Sequence, residues 1–462
     1  MLLDKIPTTH QSHAKILRHD FATIKTKIFQ GFFWFFLLTP LAVTIGILTA
    51  FFFLTLEKIT YFRFDHSWII FALPLAGVAM ALTYIGVDRL LAYQLFDSEK
   101  HHLDLEEKPT SLYGKICRAI APFIRIPIAF LAALGSNLFG ASVGREGVAL
   151  HMAGNLSLGL GHIFRLEEKH RHILTISGIA GGFGAIFGAP VAGAIFVLEA
   201  TGLWTRLGYG TLLACAYSSI IASLTCHVTE SLISLKSLGD EIGPLPLFVD
   251  KGWHFNTTNP MLLLSVALAA IAFGIAGYVY THGIILGRQL VHKICKPHWL
   301  HPAIGGVITI LLFLLCGTDV YLGLGTVSHY PNDASTVNFF TDNYYGMAWL
   351  WKLVFTLAAL STGFRGGKVT PMFFIGAALG SSLAPFLGAP PPLLAGAGML
   401  AMFAAATSTP FTCMIMGAEI FGTENFVYCA LACIIAYAIA GEINTTPPEE
   451  KLKELLGVKQ QY

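Results

Sequence analysis

Charge is what this sequence has least of. Only 12% of its 462 residues are Asp, Glu, Lys or Arg, half of the roughly 25% usual in a soluble domain. The 29 basic residues barely exceed the 27 acidic ones, a formal net charge of +2, which is too small a surplus to draw a polyanion. Cysteine is sparse and unpatterned. Cys117, Cys215, Cys226, Cys295, Cys316, Cys413, Cys429 and Cys433 are scattered, mostly in apolar runs, and no Cys-x-x-Cys occurs. That pattern reads as buried free thiols, not as a redox pair or a disulfide framework. Residues 1–30 are polar, and the apolar run that follows starts too late and runs too long for a secretory leader. Soluble enzymes, nucleic-acid binders and disordered chains are all excluded by a composition this apolar.

What the chain does have is apolar length. A membrane-spanning helix needs roughly 20 apolar residues. Gly31–Leu56 and Ser67–Val87 carry no charge over 26 and 21 positions, and Val369–Ala418 runs 50 residues without one. Ile173–Leu198 and Met261–Gly287 are similar, and shorter candidates are Ile126–Gly144, Leu207–Thr225, Pro302–Thr318, Met347–Phe364 and Phe426–Gly441. The reading is an all-α polytopic membrane protein with ten or more segments, several of them broken by Gly or Pro. Lys5, Lys15, Arg18, Lys25 and Lys27 outnumber Asp4 and Asp20 at the start, which predicts a cytoplasmic N-terminus by the positive-inside rule. The expected organisation is a cytoplasmic segment at 1–30, a first transmembrane half at 31–230, a loop at 231–260, a second half at 261–446, and a short cytoplasmic tail at 447–462.

The division into halves comes from a repeat. Gly178, Phe183, Pro190 and Glu199 in the first half match Gly398, Phe403, Pro410 and Glu419 in the second, at identical spacings. Upstream of each lies a Gly-rich patch: Gly144-Arg-Glu-Gly-Val148 before Gly178, and Gly367-Lys-Val-Thr-Pro371 before Gly398. Two halves on one plan with interrupted helices are the signature of an inverted-repeat transporter. Non-helical backbone at membrane depth must be buried in protein or line a cavity. A helix that begins there offers free N–H groups and a positive dipole end, which suits an anion. Pro371 fits the first turn of such a helix. Close packing by small residues is the alternative use of the glycines. Glu199 and Glu419 read as structural carboxylates at helix ends.

Between Arg125 and Arg165 the only formal charges are Arg145 and Glu146. A carboxylate at membrane depth is costly and is a functional candidate by default. As an anion Glu146 would compete with a substrate anion for the same helix N-terminus, and protonation would release it. One group could so gate an anion and carry a proton. The alternative is an Arg145–Glu146 pair at the headgroups.

These segments together resemble the CLC family of anion channels and proton-coupled antiporters over roughly residues 30–445. The resemblance implies a homodimer of all-helical subunits, each an inverted repeat with its own pore, in a cytoplasmic (inner) membrane. It implies that Glu146 stands for the family's gating glutamate. It also implies that Gly144, Arg145, Gly147 and Val148 with Lys368, Val369 and Thr370 build the anion cradle, chiefly through the backbone amides of Gly147–Val148 and Lys368–Thr370. The transported partners would be a halide, fluoride or chloride, and a proton. No cofactor or metal and no nucleic acid is implied.

Departures point to a branch. The chloride branch's GSGIP is absent, Val148 replaces the proline of GREGP, and the later segment Gly366-Gly-Lys-Val-Thr-Pro371 is closer to the GGEVTP of the fluoride/proton antiporters, with Lys368 in place of the glutamate. The run Lys100-His-His-Leu-Asp-Leu-Glu-Glu107 is similar to that branch's GNNLILEE-like segment, which makes His101 a candidate anion ligand in place of an Asn, against the plainer reading of a solvated loop histidine. The pore tyrosine would fall near Thr446, with Tyr437 a weak substitute. Ala200 takes the place of the chloride antiporters' inner proton-relay glutamate, an absence the fluoride branch shares. The expected function is therefore proton-coupled halide antiport gated by Glu146, leaning to fluoride, with a chloride antiporter or passive chloride channel as the alternative.

Two other patterns compete weakly. Gly140-Ala-Ser-Val-Gly144 fits the GxSxG nucleophile elbow, so a remote reading is an intramembrane hydrolase using Ser142, with His151 nearby in sequence; an enzyme is not expected. His292, Cys295, His298 and His301 are residue types that suit zinc, but Pro297 interrupts the helix their spacing would need, and no metal site is expected. Tyr344-Tyr345, Trp349 and Trp351 read as an interfacial aromatic belt.

Overall fold

The structure is a computed structural model that describes residues 9–95, 112–203, 208–236, 259–341 and 343–441, with side chains from residue 31 on except at 88–95, 112–118 and 234–236. Among the described residues there are α-helices, short 3-10 turns and no strand. The first half holds α1 (Thr9–Asp65), α2 (Leu73–Leu95), α3 (Leu112–Leu138), α4 (Glu146–Ile163), α5 (Glu168–Phe187), α6 (Pro190–Thr201) and α7 (Tyr209–Lys236). The second holds α8 (Pro260–Ile294), α9 (His301–Cys316), α10 (Ala348–Ser361), α11 (Val369–Leu387), α12 (Pro391–Thr407), α13 (Pro410–Phe421) and α14 (Phe426–Ala440). Eight described helical segments are long and apolar enough to cross a membrane, and Pro190–Thr201, Ala348–Ser361, Pro391–Thr407 and Pro410–Phe421 are shorter apolar helices. The polar start of the chain is not separate from the first span, because α1 runs unbroken from Thr9 through residue 31.

The long charge-free runs are not single helices. Residues 173–198 divide into α5 and α6, and residues 369–418 into α11, α12 and α13. The breaks have a common chemistry. Gly188 ends α5 at φ +62° and Pro190 opens α6; Ser408 ends α12 at φ +58° and Pro410 opens α13. A left-handed residue satisfies the last carbonyls of one helix, and a proline needs no N–H in the first turn of the next. Ser408 holds this conformation without glycine's freedom, a strain of about 1–2 kcal/mol.

Each half then caps the other. The Glu199 carboxylate at the end of α6 accepts the N–H groups of Phe411 (2.8 Å) and Thr412 (2.7 Å) and the Thr412 hydroxyl (2.6 Å) at the start of α13. In return, the Glu419 carboxylate of α13 accepts the N–H groups of Val191 (2.8 Å) and Ala192 (2.9 Å) at the start of α6. Anionic groups on helix N-termini satisfy orphan donors and the dipole together. Both glutamates are helix-end carboxylates, as expected, and each serves the helix of the opposite half.

Between these caps lies an aromatic core shared by both halves. Phe187 meets Phe373 at 5.7 Å between ring centroids, and Phe373 meets Phe403 at 5.4 Å. Backbones approach closely where side chains are absent: a Cβ on Gly376 of α11 would run into the carbonyl of Gly398 on α12, and the reverse also holds. Small residues at such crossings are how membrane helices pack. The apolar window of α11 is 78% buried in the protein and that of Ser67–Val87 only 22%, so α11 is an interior element. The outer helices present Phe36, Leu75, Leu213 and Leu315, apolar surface of the kind a soluble monomer does not expose in quantity.

Candidate functional site

Two interior helices begin at the same point. The chain leaves α3, turns at Gly140 (φ +90°), makes a tight turn in which the Val143 N–H donates to the Ala141 carbonyl (2.9 Å), and at Gly144 meets the segment before α11. Gly144 and Gly367 exchange both backbone hydrogen bonds, each 2.6 Å long. Neither position tolerates a side chain. A Cβ on Gly144 would meet the Thr370 hydroxyl at 2.6 Å and the Gly367 carbonyl at 2.9 Å; one on Gly367 would meet the Gly147 nitrogen at 2.8 Å. This bridge brings the N-termini of α4 and α11 side by side.

Glu146, the first residue of α4, is fully buried and places its carboxylate at that junction. Its Oε2 accepts three donors: the Arg145 N–H (3.2 Å), the Thr370 N–H (3.0 Å) and the Thr370 hydroxyl (2.5 Å). The Arg145 N–H is shared with the Thr370 oxygen at 3.2 Å. Both helices' positive ends therefore converge on one oxygen atom. Oε1 accepts no hydrogen bond among the described residues and faces only Arg145 Nε, 3.8 Å away. The Arg145 guanidinium, buried as well, lies 4.2 Å above the Phe53 ring, a cation–π contact that holds the charge without neutralising it. The pair is thus buried in the protein interior and not on its surface.

Chemically this is a carboxyl group in a cradle of amides and a hydroxyl. The carboxylate oxygen stands where a small free anion could accept the same donors. A proton on the carboxyl would remove the charge that the helix ends favour.

The structure brings together Gly144, Arg145, Glu146 and Thr370 of the expected set. Gly147 and Val148, at the second and third positions of α4, and Val369, which opens α11, lie in the same first turns, but their amides are not among the donors to Glu146. The donors are one residue earlier in α4 and confined to Thr370 in α11. Lys368 caps α11, and its carbonyl accepts the hydroxyl of Tyr280, a fully buried side chain of α8, at 2.8 Å. Sequence reasoning missed Tyr280; its one signal was a polar tip inside a long apolar helix. Tyr437, the suggested substitute, sits half-buried in α14 and makes no hydrogen bond to the cradle. His101 and Thr446 lie outside the described residues. Ser142 is fully buried, and its hydroxyl pairs with Thr356 Oγ1 at 3.0 Å. Because Thr356 donates to the Lys352 carbonyl, Ser142 must be the donor, so its partner is a threonine acceptor and not a histidine base.

Comparison with known proteins identifies relatives over most of the chain. Residues 110–441 match the family model described as voltage gated chloride channel. The chain is 33% identical to a chloride/fluoride channel protein of Pseudomonas syringae pv. tomato over 88% of this chain and 84% of that one. It is 27% identical to the H(+)/Cl(-) exchange transporter ClcA of Vibrio parahaemolyticus over 71% of each. Among solved structures it superposes on a CLC-type fluoride/proton antiporter with a TM-score of 0.68 at 28% identity, covering 87% of this chain and 95% of the other. A slow cyanobacterial Cl-/H+ antiporter shares the fold, with a TM-score of 0.66 at 17% identity over 91% of this chain and 98% of that one.

Proposed function

The chain belongs to the CLC family of voltage-gated chloride channels and their relatives, and from that premise we propose that it exchanges a halide, preferentially fluoride, for protons, with Glu146 as the gate. The observation that carries this reading is the single buried carboxylate oxygen held by donors from two helix N-termini. An anionic Glu146 fills the cradle and excludes the halide; a protonated one gives it up. Proton binding and anion passage then share one site, which is the minimum a coupled transporter needs. Gly144, Arg145, Gly147, Val148, Lys368, Val369 and Thr370 form the walls of that site, and His101 and Thr446 remain candidates for its approaches.

The lean to fluoride draws on the 28% identical fluoride/proton antiporter and the relative named for both anions. It also draws on size, since fluoride is close to a carboxylate oxygen in radius and chloride is larger. Chloride is the second reading, because a relative named for chloride exchange matches over 71% of the chain. Residues 31–230 and 261–446 act as the two halves of the inverted repeat, supported by the matched breaks at Gly188 and Ser408 and by the reciprocal Glu199 and Glu419 caps. The protein works as a homodimer with one pore per subunit in a cytoplasmic (inner) membrane, with residues 1–30 and 447–462 on the cytoplasmic side.

The test is efflux of fluoride and of chloride from proteoliposomes with external pH recorded. Fluoride efflux should drive proton uptake. Glu146→Gln, which mimics the neutral carboxyl, should abolish proton uptake by at least about tenfold, the effect of about 1.4 kcal/mol. Coupling unchanged in Glu146→Gln would remove the gate assignment, and chloride flux with no proton movement would make the protein a passive channel.

A further inference from the structure

The α8–α9 corner gathers three imidazoles from a short stretch of chain. His292 lies in the last turn of α8, His298 in the 3-10 turn that follows, and His301 at the first position of α9. A continuous helix is not needed to unite them. Helix α8 stops at Ile294, and the extended residues Cys295 to Pro297 carry the chain back over the end of the helix. The proline that seemed to separate the histidines in the sequence is part of the turn that assembles them. Their ligand nitrogens all lie within 4.8 Å of one another. The rings meet edge to face, at 74°, 87° and 86°, with centroids 4.9, 4.8 and 5.3 Å apart.

One ring already has its orientation set. His301 Nε2 lies 2.8 Å from the Cys295 carbonyl oxygen. A carbonyl can only accept, so Nε2 carries the proton and Nδ1 presents its lone pair. A ring N–H held by a backbone carbonyl is the outer-shell partner that metal-binding histidines ordinarily have. His301 is buried while His298 is exposed, so the cluster is anchored on the protein side and open on the other. It borders a cleft also lined by Met80, Arg288 and Arg365. The Arg365 guanidinium is drawn onto the Tyr84 ring, 4.1 Å from its centroid.

We propose that His292, His298 and His301 form a binding site for one divalent transition-metal ion of the zinc class, which clamps the last turn of α8 to the first turn of α9. The donor set decides the metal. Imidazole nitrogen suits zinc, nickel and copper, whereas calcium and magnesium need oxygen ligands. No carboxylate belongs to the cluster, and Cys295 is turned away, its sulfur 3.8 Å from the Pro297 carbonyl. Three nitrogens about 2.1 Å from a tetrahedral ion stand about 3.4 Å apart. Closing from 4.8 Å requires ring rotations at the exposed His298 and the half-buried His292, while His301 stays in place. The fourth coordination position is left to water or an exogenous ligand.

The test uses the full-length protein, purified in detergent without a histidine tag. Titration with Zn2+ and Ni2+ by calorimetry should give one saturable site per chain and raise the thermal unfolding midpoint, whereas Mg2+ should do neither. Bound Cu2+ should show an electron paramagnetic resonance spectrum with coupling to three nitrogens. His298→Ala, at an exposed position where folding is safe, should weaken Zn2+ more than about 100-fold, beyond the 10–100-fold loss typical of an outer-shell partner. His301→Ala also loses the Cys295 carbonyl bond, so His292→Ala is the second ligand test. Absence of saturable binding, or Zn2+ affinity unchanged in both His298→Ala and His292→Ala, overturns the site. Fluoride transport is not the readout, so failure here leaves the Glu146 reading standing.

Discussion

Thr370 offers the sharpest test of the cradle. Its hydroxyl makes the shortest bond to Glu146, 2.5 Å against 3.0 and 3.2 Å for the two amides. A hydrogen bond to a charged group contributes about 1.5–3 kcal/mol, which is about 10–150-fold in an equilibrium constant at 1.4 kcal/mol per decade. Thr370→Val keeps the branched shape and the backbone N–H, so the loss is confined to the hydroxyl. If a halide and the carboxylate use the same donors, the substitution weakens both occupants. The KM for fluoride in proteoliposome efflux should rise about tenfold or more, and the ratio of protons to fluoride should fall, because a less firmly held carboxylate no longer excludes the anion. Thr370→Ser, which restores the donor, should recover most of both. Valine behaving within about twofold of wild type in KM and in coupling would mean that the anion does not pass the place where Oε2 now sits, and the shared-site argument would fail.

Gly367→Ala places a Cβ against the backbone nitrogens of Gly147 and Glu146 at 2.8 and 3.1 Å. Overpacking of this kind costs about 1–3 kcal/mol, so the unfolding midpoint in detergent should drop and fluoride efflux should fall more than about tenfold. Tyr280→Phe leaves the Lys368 carbonyl without its 2.8 Å donor, a penalty of about 1–3 kcal/mol if no water replaces it; fluoride efflux should slow several-fold with the oligomeric state by size exclusion unchanged. Glu199→Ala should lower thermal stability more than Glu419→Ala, by about 1 kcal/mol, because Glu199 accepts a threonine hydroxyl in addition to two amides. Equal midpoints for the two alanine variants would remove the Thr412 hydroxyl from the account.

Helix ends bounded by charge or glycine were legible in the sequence. The runs Pro302–Thr318, Met347–Phe364 and Phe426–Gly441 lie within a few residues of α9, α10 and α14. Counting charges failed inside 369–418, where nothing charged marks the breaks. Gly388, Pro390 and Pro410 do mark them, but Ser408 does not look like a helix terminator until its φ is known. The repeat was legible because spacing survives inversion of the structure, and Glu146 because a lone carboxylate in an apolar run has few cheap explanations. The partners of Glu146 were harder to see. Thr370 is 224 positions away, and which amides face the carboxylate depends on a register set by the Gly144–Gly367 bridge, which no local pattern encodes. The proximity of His292, His298 and His301 was not legible, because it arises from the turn after α8 and not from helical spacing.

The three carboxylates that cap helix N-termini, Glu146 fully buried and Glu199 and Glu419 half-buried, differ in how they are held. Glu199 and Glu419 spread their donors over both oxygens: Phe411 N–H on one and Thr412 on the other, Val191 N–H on one and Ala192 on the other. To leave, either must break bonds at both oxygens at once, and each is locked to a helix of the opposite half. Glu146 places all three donors on Oε2, while Oε1 has only the Arg145 charge at 3.8 Å. A carboxylate held by one oxygen can pivot about that atom, and Oε1 is the oxygen that can take a proton without first giving up a hydrogen bond. In the proposed mechanism, protonation there would weaken the attraction of the two helix ends for Oε2 and so release it. The symmetric caps tie the two halves to each other, and the asymmetric hold on Glu146 is what the proposed exchange with an anion would require.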